Sequence, residues 1–366
     1  MLYGIPLGKW RIRIISSGSG NKMKIGIITF HWAANYGAVL QGYALQEKLT
    51  KKGNKVSIIN YYPKRFKKNY LNALLTKHIR QIPARIREIE KEKNIAPFRK
   101  RYLNMTKYYS SSEKLKNAEF LFDAYICGSD QIWNESFTLK GERKKTFSYF
   151  LDFAPKEKII ASYAASFGVT KYNQTLKPYI KKELKRFDFI SVREKSGAEI
   201  VEDLGLEKPY IVPDPTLLLE KKDYEKFVTK NMSDAYIYKY MLHGQKCDVY
   251  SIIEDNNLKV VEAQNESVEE WLSNIYYSEL VITNSFHGVV FSIMFQRPFI
   301  AVLIEGSGMN DRIVTLLKKS GLENRIWRKG TTIESEPIDW QTVSKNMEEY
   351  RLFGEQYLDM IINYKK

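Results

Sequence analysis

The order of apolar patterns near the start of the chain constrains the fold more than any other feature. Residues 24–30 form a continuous apolar run, which is typical of a strand buried on both faces. Residues 38–49 carry apolar side chains at helical spacing, and residues 56–60 form a second strand-like run after Gly53 and Asn54. A strand, a helix and a strand in this order predict a βαβ unit with parallel strands.

The same alternation continues along the chain. Further strands are predicted at residues 122–127, 158–163, 189–192, 234–240, 258–262, 280–283 and 299–303. Further helices are predicted at residues 194–204, 247–255, 268–276, 289–295, 311–318 and 342–364. This pattern predicts an α/β protein, and ligands of such folds bind where the carboxyl ends of the strands gather.

A chain of 366 residues is long for one domain, and we predict two Rossmann-like domains facing a cleft. The predicted divisions are 23–208 for the first domain, with a basic helical insertion at 64–107, 209–340 for the second domain, and 341–366 for a C-terminal helix. Residues 1–22 lack the apolar core of a signal peptide, so we interpret them as a tag, a leader or an over-extended start.

The counts of cysteine and histidine restrict the chemistry. Two cysteines, Cys127 and Cys247, lie far apart, which argues against a disulfide framework and favours the reducing cytoplasm. The four histidines lack the spacing of a zinc site, so no metal is expected. No apolar run approaches the roughly 18 residues that span a bilayer. We therefore expect a cytoplasmic protein without a metal.

The formal net charge of +16 is concentrated in one segment. Residues 64–107 contain fourteen Lys or Arg and three Glu, with interspersed Ile and Leu that predict helix. One interpretation is a solvated helical face. The other is peripheral contact with the anionic inner face of the cell membrane, because basic amphipathic helices bind anionic lipid. No recognisable RNA- or DNA-binding module accompanies the charge, so nucleic acid is not an expected partner.

Residues 280–295 are the most informative segment for function. A buried strand runs into polar residues and then into an apolar helix, with Ser285 or a neighbour placed to cap that helix. A helix N-terminus offers free N–H donors and about half a positive charge, so it is a candidate anion site. His287 lies there, and its ordinary pKa near neutrality suits proton transfer or donation to a phosphate. The alternative for His287 is a partly buried capping residue.

Several segments in a fixed order make the chain resemble the polysaccharide pyruvyl transferase family, bacterial enzymes of exopolysaccharide and capsule synthesis. The matching segments are residues 24–30, 35–41, 127–134, 163–168, 190–194, 213–218, 283–288 and 312–317. The resemblance implies two domains arranged similarly to glycosyltransferases of the B type. It also implies phosphoenolpyruvate as donor substrate, no further cofactor, a sugar or lipid-linked oligosaccharide as acceptor, and a cyclic pyruvate ketal as product.

The resemblance also implies roles for individual residues. His287 matches the donor-site histidine of the family, and Arg193 matches an arginine that binds phosphoenolpyruvate, for which a surface ion pair with Glu194 is the alternative. Some members carry an arginine where this chain has Ser285, and Arg312 is the candidate for the missing charge. The expected donor-binding residues are Arg193, Ser285, Phe286, His287, Gly288 and Arg312.

Other candidates follow predicted strands. Asp130 is a candidate catalytic base beside the catalytic His287, with a helix N-cap as the alternative. His31 is a candidate second acid, and Asp214, between two prolines, is interpreted as a brace of the interdomain turn. The candidate acceptor-binding residues are Asn35, Tyr36, Gly37 and Ser129.

Two other functions stay open on the sequence. A glycosyltransferase of similar architecture would use a nucleotide sugar and need a carboxylate for the ribose, for which Glu262 and Glu305 are the candidates. The other is an inactive scaffold of glycan assembly, and Ser285 in place of an arginine would be its sign.

Overall fold

The computed structural model describes residues 22–66, 82–140, 142, 144–229, 234–242, 245, 258–328 and 337–366. Within these ranges the chain forms two parallel sheets surrounded by helices, which confirms the α/β class with two Rossmann-like halves. The predicted helix at 247–255, residues 1–21, and residues 67–81 of the basic segment lie outside the described residues.

The sheet of the first half has the strand order β2-β1-β3-β4. Its strands are β1 (Lys24–Ile28), β2 (Lys55–Ile58), β3 (Ala124–Cys127) and β4 (Ile159–Ser162). All neighbours are parallel, and Ile25 of the central strand β1 lies opposite Val56 on one side and Ala124 on the other. Strand β1 is buried at four of its five positions, as its continuous apolar run predicts.

Two short strands extend the first half. Strands β5 (Ser191–Val192) and β6 (Tyr210–Ile211) pair in parallel, and a bridge between Ala161 and Phe189 links them to the edge of the first sheet. The division predicted between residues 208 and 209 therefore falls just before a strand that belongs with the first half.

The sheet of the second half has the order β11-β10-β9-β7-β8 and is parallel throughout. Its strands are β7 (Tyr236–Tyr240), β8 (Lys259–Glu262), β9 (Leu280–Thr283), β10 (Phe299–Val302) and β11 (Ile326–Trp327). The first four of these strands agree with the predicted ones to within two residues at each end, whereas β11 is absent from the prediction.

The helices lie around the two sheets. In chain order they are α1 (Tyr36–Lys51), α2 (Ile82–Tyr102), α3 (Ser112–Lys116), α4 (Glu135–Lys140), α5 (Lys177–Leu184), α6 (Lys195–Asp203), α7 (Lys221–Glu225), α8 (Val268–Tyr277), α9 (Phe286–Met294), α10 (Asp311–Ser320) and α11 (Trp340–Ile362). Among the helices of the described ranges, none has the length and apolar character of a membrane span.

Helix α1 connects the two halves. The Asn35 side chain caps its N-terminus by accepting from the amide of Ala38 at 3.1 Å. The ring of Tyr36 stacks on Trp271 of α8 with 5.1 Å between ring centroids, and its hydroxyl donates to the carbonyl of Glu266 at 3.0 Å. The apolar core therefore runs without interruption from one half into the other.

Helix α11 follows the second sheet in sequence but returns to the first half. The Tyr357 hydroxyl donates to the carbonyl of Ser162, at the end of β4, at 3.0 Å. Lys52, which follows the last residue of α1, pairs with Asp359 at 2.6 Å. The segment predicted as a C-terminal helix is thus helical, and its C-terminal part packs against the first half.

Candidate active site

The carboxyl ends of the strands in the two sheets point toward a common region, and polar side chains gather there, as is typical of open α/β folds. Segments that follow β3, β5 and β6 contribute from the first half, and α9 and α10 contribute from the second. The cluster consists of Ser129, Asp130, Arg193, Glu194, Asp214, Phe286, His287 and Arg312. The structure thus brings the predicted donor residues Arg193, His287 and Arg312 together.

Asp214 connects most of this cluster. Its Oδ2 accepts from Nη1 of Arg193 at 2.7 Å and from the Ser129 hydroxyl at 2.8 Å, and its Oδ1 accepts from the amide and hydroxyl of Thr216. Burial alone would raise the pKa of Asp214, but the nearby charges of His287 and Arg193 outweigh burial and hold that pKa well below its ordinary value. Asp214 is therefore an ionised carboxylate that positions catalytic candidates, in addition to bracing the turn between the halves.

Arg193 points inward from the end of β5 and is 2% exposed, which corrects the alternative of a surface ion pair. Its Nη1 is held by Asp214 and also donates to the Ser129 hydroxyl at 3.2 Å. Its Nε and Nη2 make no hydrogen bond with the described residues. The guanidinium carbon lies 4.6 Å from the centroid of the Phe286 ring, a cation–π contact. One edge of the guanidinium is thus held by hydrogen bonds, and the donors of the other edge make none with the described residues.

His287 is the second residue of α9 and is 6% exposed. Its Nε2 lies 3.7 Å from Oδ2 of Asp214, which is beyond hydrogen-bond range, and it makes no hydrogen bond in the part of the chain that the structure describes. Its ring packs against Gly37 at the start of α1, where an added β-carbon would stand 1.9 Å from Nδ1. Residues of both halves therefore fix the imidazole.

The residues around His287 shape the N-terminus of α9. Ser285 caps the helix, because its hydroxyl accepts from the amide of Gly288 at 3.2 Å. A β-carbon at Gly288 would stand 2.6 Å from Oγ1 of Thr283, so glycine at this position permits the close approach of helix to strand. The predicted capped helix is confirmed. The Ser285 hydroxyl is engaged in capping, so its contribution to donor binding stays a prediction.

Asp130 faces two cations. Its Oδ1 lies 3.6 Å from Nη2 of Arg193 and 3.8 Å from Nη1 of Arg312. The backbone of Asp130 is left-handed, with a φ of 75°, a conformation that is uncommon outside glycine and that clusters at functional sites. The alternative of a helix N-cap is not what the structure shows, since α4 begins only at Glu135. Its role as the base stays a prediction.

Glu194 is a member of the cluster that the sequence suggested only as an ion-pair partner. It is 1% exposed, and its Oε2 lies 3.8 Å from Nε of Arg193. Burial raises the pKa of Glu194 and outweighs the charges of Arg193 and Arg312, which act to lower it. The nearby Ser166 hydroxyl also acts to lower this pKa but does not reach hydrogen-bond geometry. Its position after Arg193 at a strand end was the sequence signal for this residue.

The predicted acceptor-binding residues separate into two pairs. Ser129 belongs to the cluster, and Gly37 contacts it through the ring of His287. The Asn35 side chain is engaged in capping α1, and the Tyr36 hydroxyl donates to backbone carbonyls of the second half, so Tyr36 takes part in the contact between the halves. The assignment of all four to acceptor binding stays a prediction.

His31 does not fit the role of a second acid. It is 1% exposed, with Nδ1 3.2 Å from the carbonyl of Thr29 and Nε2 3.0 Å from the Asn60 side chain. Burial lowers its pKa to about 4, so the imidazole is neutral at pH 7 and this expectation is corrected.

Comparison with known proteins identifies a family. A profile of the family described as polysaccharide pyruvyl transferase matches residues 35–305, which is most of the chain. A search of curated proteins finds no match.

Solved structures similar to this chain include three UDP-N-acetylglucosamine 2-epimerases. The epimerase from Rickettsia bellii is 11% identical with a TM-score of 0.48, and the match covers 94% of this chain and 97% of that chain. The enzyme from Neisseria meningitidis, bound to UDP-GlcNAc, is 8% identical with a TM-score of 0.43 and coverages of 94% and 95%. The enzyme from Methanocaldococcus jannaschii is 11% identical with a TM-score of 0.41 and coverages of 94% and 94%.

Proposed function

The chain belongs to the polysaccharide pyruvyl transferase family, a family of transferases, and we propose that it transfers the enolpyruvyl group of phosphoenolpyruvate to a sugar of a cell-surface polysaccharide precursor. Two sugar hydroxyls add to C2 of this group, C3 becomes a methyl group and phosphate leaves, so the product is a cyclic pyruvate ketal. The reaction needs cations for the phosphate and carboxylate, an acid for C3 and a base for the hydroxyls.

One observation carries this proposal: buried nitrogen donors in the cluster make no hydrogen bond with the described residues. The Nε and Nη2 of Arg193 and the Nε2 of His287 are buried and make no hydrogen bond with any described residue. An unsatisfied buried donor costs about 1 to 3 kcal/mol, and more when it is charged. Donors in this state favour an acceptor ligand, and phosphoenolpyruvate carries two anionic groups that can accept from them.

Arg312 supplies a positive charge to the proposed donor site. Some relatives carry an arginine at the position of Ser285, and Arg312 takes its place in this proposal. The guanidinium carbon of Arg312 lies 5.9 Å from the Phe286 ring centroid, on which Arg193 also packs. Burial and the neighbouring charge of Arg193 lower the pKa of Arg312 to about 10. An anion bound between the two guanidinium groups would relieve their repulsion.

In this proposal His287 and Asp130 act on different parts of the reaction. The unpartnered Nε2 of His287 can donate to the phosphate that leaves. Asp130 lies beside both arginines, where a carboxylate can accept a proton from a sugar hydroxyl that approaches C2. Gly37 and Ser129 border the same region and are the acceptor contacts that this arrangement favours.

A thermal-shift titration separates the proposed function from its alternatives, because a ligand that binds only the native state raises the melting temperature. Phosphoenolpyruvate should raise the melting temperature, and UDP-sugars should not. The reverse result would support a nucleotide-sugar glycosyltransferase, and no response to either ligand would support an inactive scaffold.

His287→Ala should abolish release of phosphate from phosphoenolpyruvate in the presence of an acceptor panel while the circular dichroism spectrum is unchanged. Glu199→Gln is the control, because that exposed carboxylate of α6 pairs with Lys195 at 3.2 Å and lies outside the proposed site. Wild-type turnover in His287→Ala would refute the role given to the imidazole.

Peripheral contact with an anionic membrane is proposed for the basic segment. In helix α2, Ile89, Ile95 and Phe98 are buried. The exposed basic residues of this helix include Arg87, Lys93, Lys100 and Arg101. Co-sedimentation with liposomes should therefore require anionic lipid and weaken at high salt. Binding that is absent, or that salt does not weaken, would reject membrane contact in favour of a solvated face.

A further inference from the structure

The guanidinium of Arg193 has two edges in different states. Its Nη1 is held by Asp214 at 2.7 Å and by Ser129 at 3.2 Å, whereas Nε and Nη2 have no hydrogen-bond partner within the described ranges. A carboxyl group lies beside each of these two nitrogens. Oε2 of Glu194 is 3.8 Å from Nε, and Oδ1 of Asp130 is 3.6 Å from Nη2. An anion that accepts from both nitrogens would therefore lie between the two carboxyl groups.

Hydrogen bonds do not account for the burial of Glu194. It occupies the N-cap position of α6, but its side chain makes no capping hydrogen bond. It is 1% exposed, and neither carboxyl oxygen accepts a hydrogen bond from the described part of the protein. Beside a bound anion an ionised carboxylate would be repelled, whereas a protonated carboxyl would not. The raised pKa of Glu194 agrees with the protonated form.

We propose that Glu194 is the catalytic acid that protonates C3 of the enolpyruvyl group, with Asp130 as the base; this inference rests on the proposed function. The proton of the Glu194 carboxyl moves to C3, which becomes the methyl group. The oxygen of the first sugar hydroxyl bonds to C2, and its proton passes to Asp130. The C2–O bond to phosphate breaks and its electron pair leaves with the phosphate, and the second hydroxyl oxygen then closes the ketal. Asp130 then releases its proton, and the second hydroxyl loses its own proton on ring closure; one of these two protons restores the Glu194 carboxyl, and the other leaves on the phosphate.

Asp214 is less suited than Glu194 to protonate C3 of the enolpyruvyl group. Both of its oxygens already accept hydrogen bonds, and the surrounding cations keep it ionised, so it has no proton to give. Burial instead raises the pKa of Glu194, so the two carboxyl groups are shifted in opposite directions. In sites of this kind, such a separation distinguishes the acid from the ionised carboxylate.

Glu194→Gln tests the proposal with the full chain, phosphoenolpyruvate and a panel of methyl hexopyranosides. We expect phosphate release to fall at least about 100-fold, while phosphoenolpyruvate still raises the melting temperature as in the wild type. Glu194→Ala should regain part of its phosphate release with added formate, which supplies a small acid in place of the lost side chain. Glu199→Gln is the matched control, since this exposed glutamate of α6 pairs with Lys195 at 3.2 Å.

The outcomes distinguish the acid from a positioning residue. Unchanged phosphate release in Glu194→Gln would overturn the proposal. A parallel loss of stabilisation by phosphoenolpyruvate would also overturn it, because Glu194 would then act through Arg193. If the glutamine variant does not fold, Glu194→Ala decides, and a lack of formate rescue counts against the acid. A wild type that responds to phosphoenolpyruvate in neither assay would overturn the proposed function itself.

Discussion

The imidazole of His287 rests against the Cα of Gly37, where a β-carbon would stand 1.9 Å from Nδ1 and 2.1 Å from Cγ. Gly37 lies in the first turn of α1 and His287 in the first turn of α9, so two helix N-termini from opposite halves meet at the histidine. Contact this close is possible because glycine has no side chain. The position of the imidazole therefore depends on how the two halves are packed.

Gly37→Ala should displace the imidazole or separate the halves. We expect phosphate release from phosphoenolpyruvate to fall about 100-fold, because a displacement of about 1 Å at a reacting group is enough for such a loss. Gly42→Ala in the same helix is the control, since its β-carbon would meet only Thr29, at 3.4 Å. A Gly37→Ala enzyme with the activity of the control would contradict the importance of this contact.

Asp214→Asn should destabilise the fold, because it leaves Arg193 buried without its ionised partner. Removing one member of a buried ion pair costs about 3 to 5 kcal/mol. Urea denaturation at pH 7 measures the loss in free energy of unfolding. The control is Asp223→Asn, whose partner Lys51 is partly exposed, and it should lose less than about 1 kcal/mol. Equal losses of unfolding free energy in the two variants would be evidence against a buried ion pair between Asp214 and Arg193.

The low pKa of Asp214 predicts how the stability of the fold depends on pH. The pKa of Asp214 is lower in the folded protein than the value of about 3.9 expected for the unfolded chain. Its contribution to stability is therefore present above that pH and is lost as the pH falls below it. The difference in unfolding free energy between wild type and Asp214→Asn should shrink between about pH 5 and pH 3. A difference that is independent of pH would show that Asp214 is not ionised in the fold.

His31 predicts a second pH dependence in a higher range. Burial lowers its pKa to about 4, and the unfolded chain binds its proton near pH 6.5. The unfolded state then binds more protons between these values, so stability falls as the pH is lowered from about 6.5 to 4, by on the order of 3 kcal/mol. His31→Gln should have a flatter profile in this window, with measurements at pH 8 as the reference. Identical slopes for variant and wild type would refute the neutral buried state.

Tyr36→Phe tests whether this hydroxyl serves the fold or the acceptor. The hydroxyl donates to the carbonyl of Glu266 at 3.0 Å, and the ring stacks on Trp271. We expect a loss of about 0.5 to 1.5 kcal/mol in unfolding free energy, with phosphate release unchanged because the ring stays in place. A higher KM for the acceptor without a loss of stability would instead support the acceptor role predicted from the sequence.

The strands of four or five residues and most of the longer helices were predictable, because each type of element has its own apolar pattern, whereas helices α3, α4, α5 and α7 are absent from the prediction. Strands buried on both faces require uninterrupted apolar runs, as in β1 and β9, and those runs stand out from the amphipathic helices between them. The short strands β6 and β11 were not predicted from the sequence, because a strand of two residues shows too little of an apolar pattern. Strand β6 pairs with β5 of the first half, so the predicted division at 208 falls before a strand of that half.

The site was predictable only in part. Arg193 and His287 follow strands, and the topology brings strand ends together, so their proximity could be predicted from the sequence. The bond of Asp214 to Arg193, and the pair of carboxyl groups at the edge of that arginine, depend on side-chain directions that strand order does not specify. The burial of His31 likewise follows from its contact with Asn60 of another loop, and no local pattern reports it.

The return of α11 to the first half has a consequence for how the protein is made. The segment that bonds Tyr357 to Ser162 is translated after the entire second half. Folding during synthesis generally proceeds from the N-terminal side as whole units. Here the first half can form its sheet early but cannot complete its packing until the ribosome has passed the second half. The half that is begun first is therefore the half that is finished last.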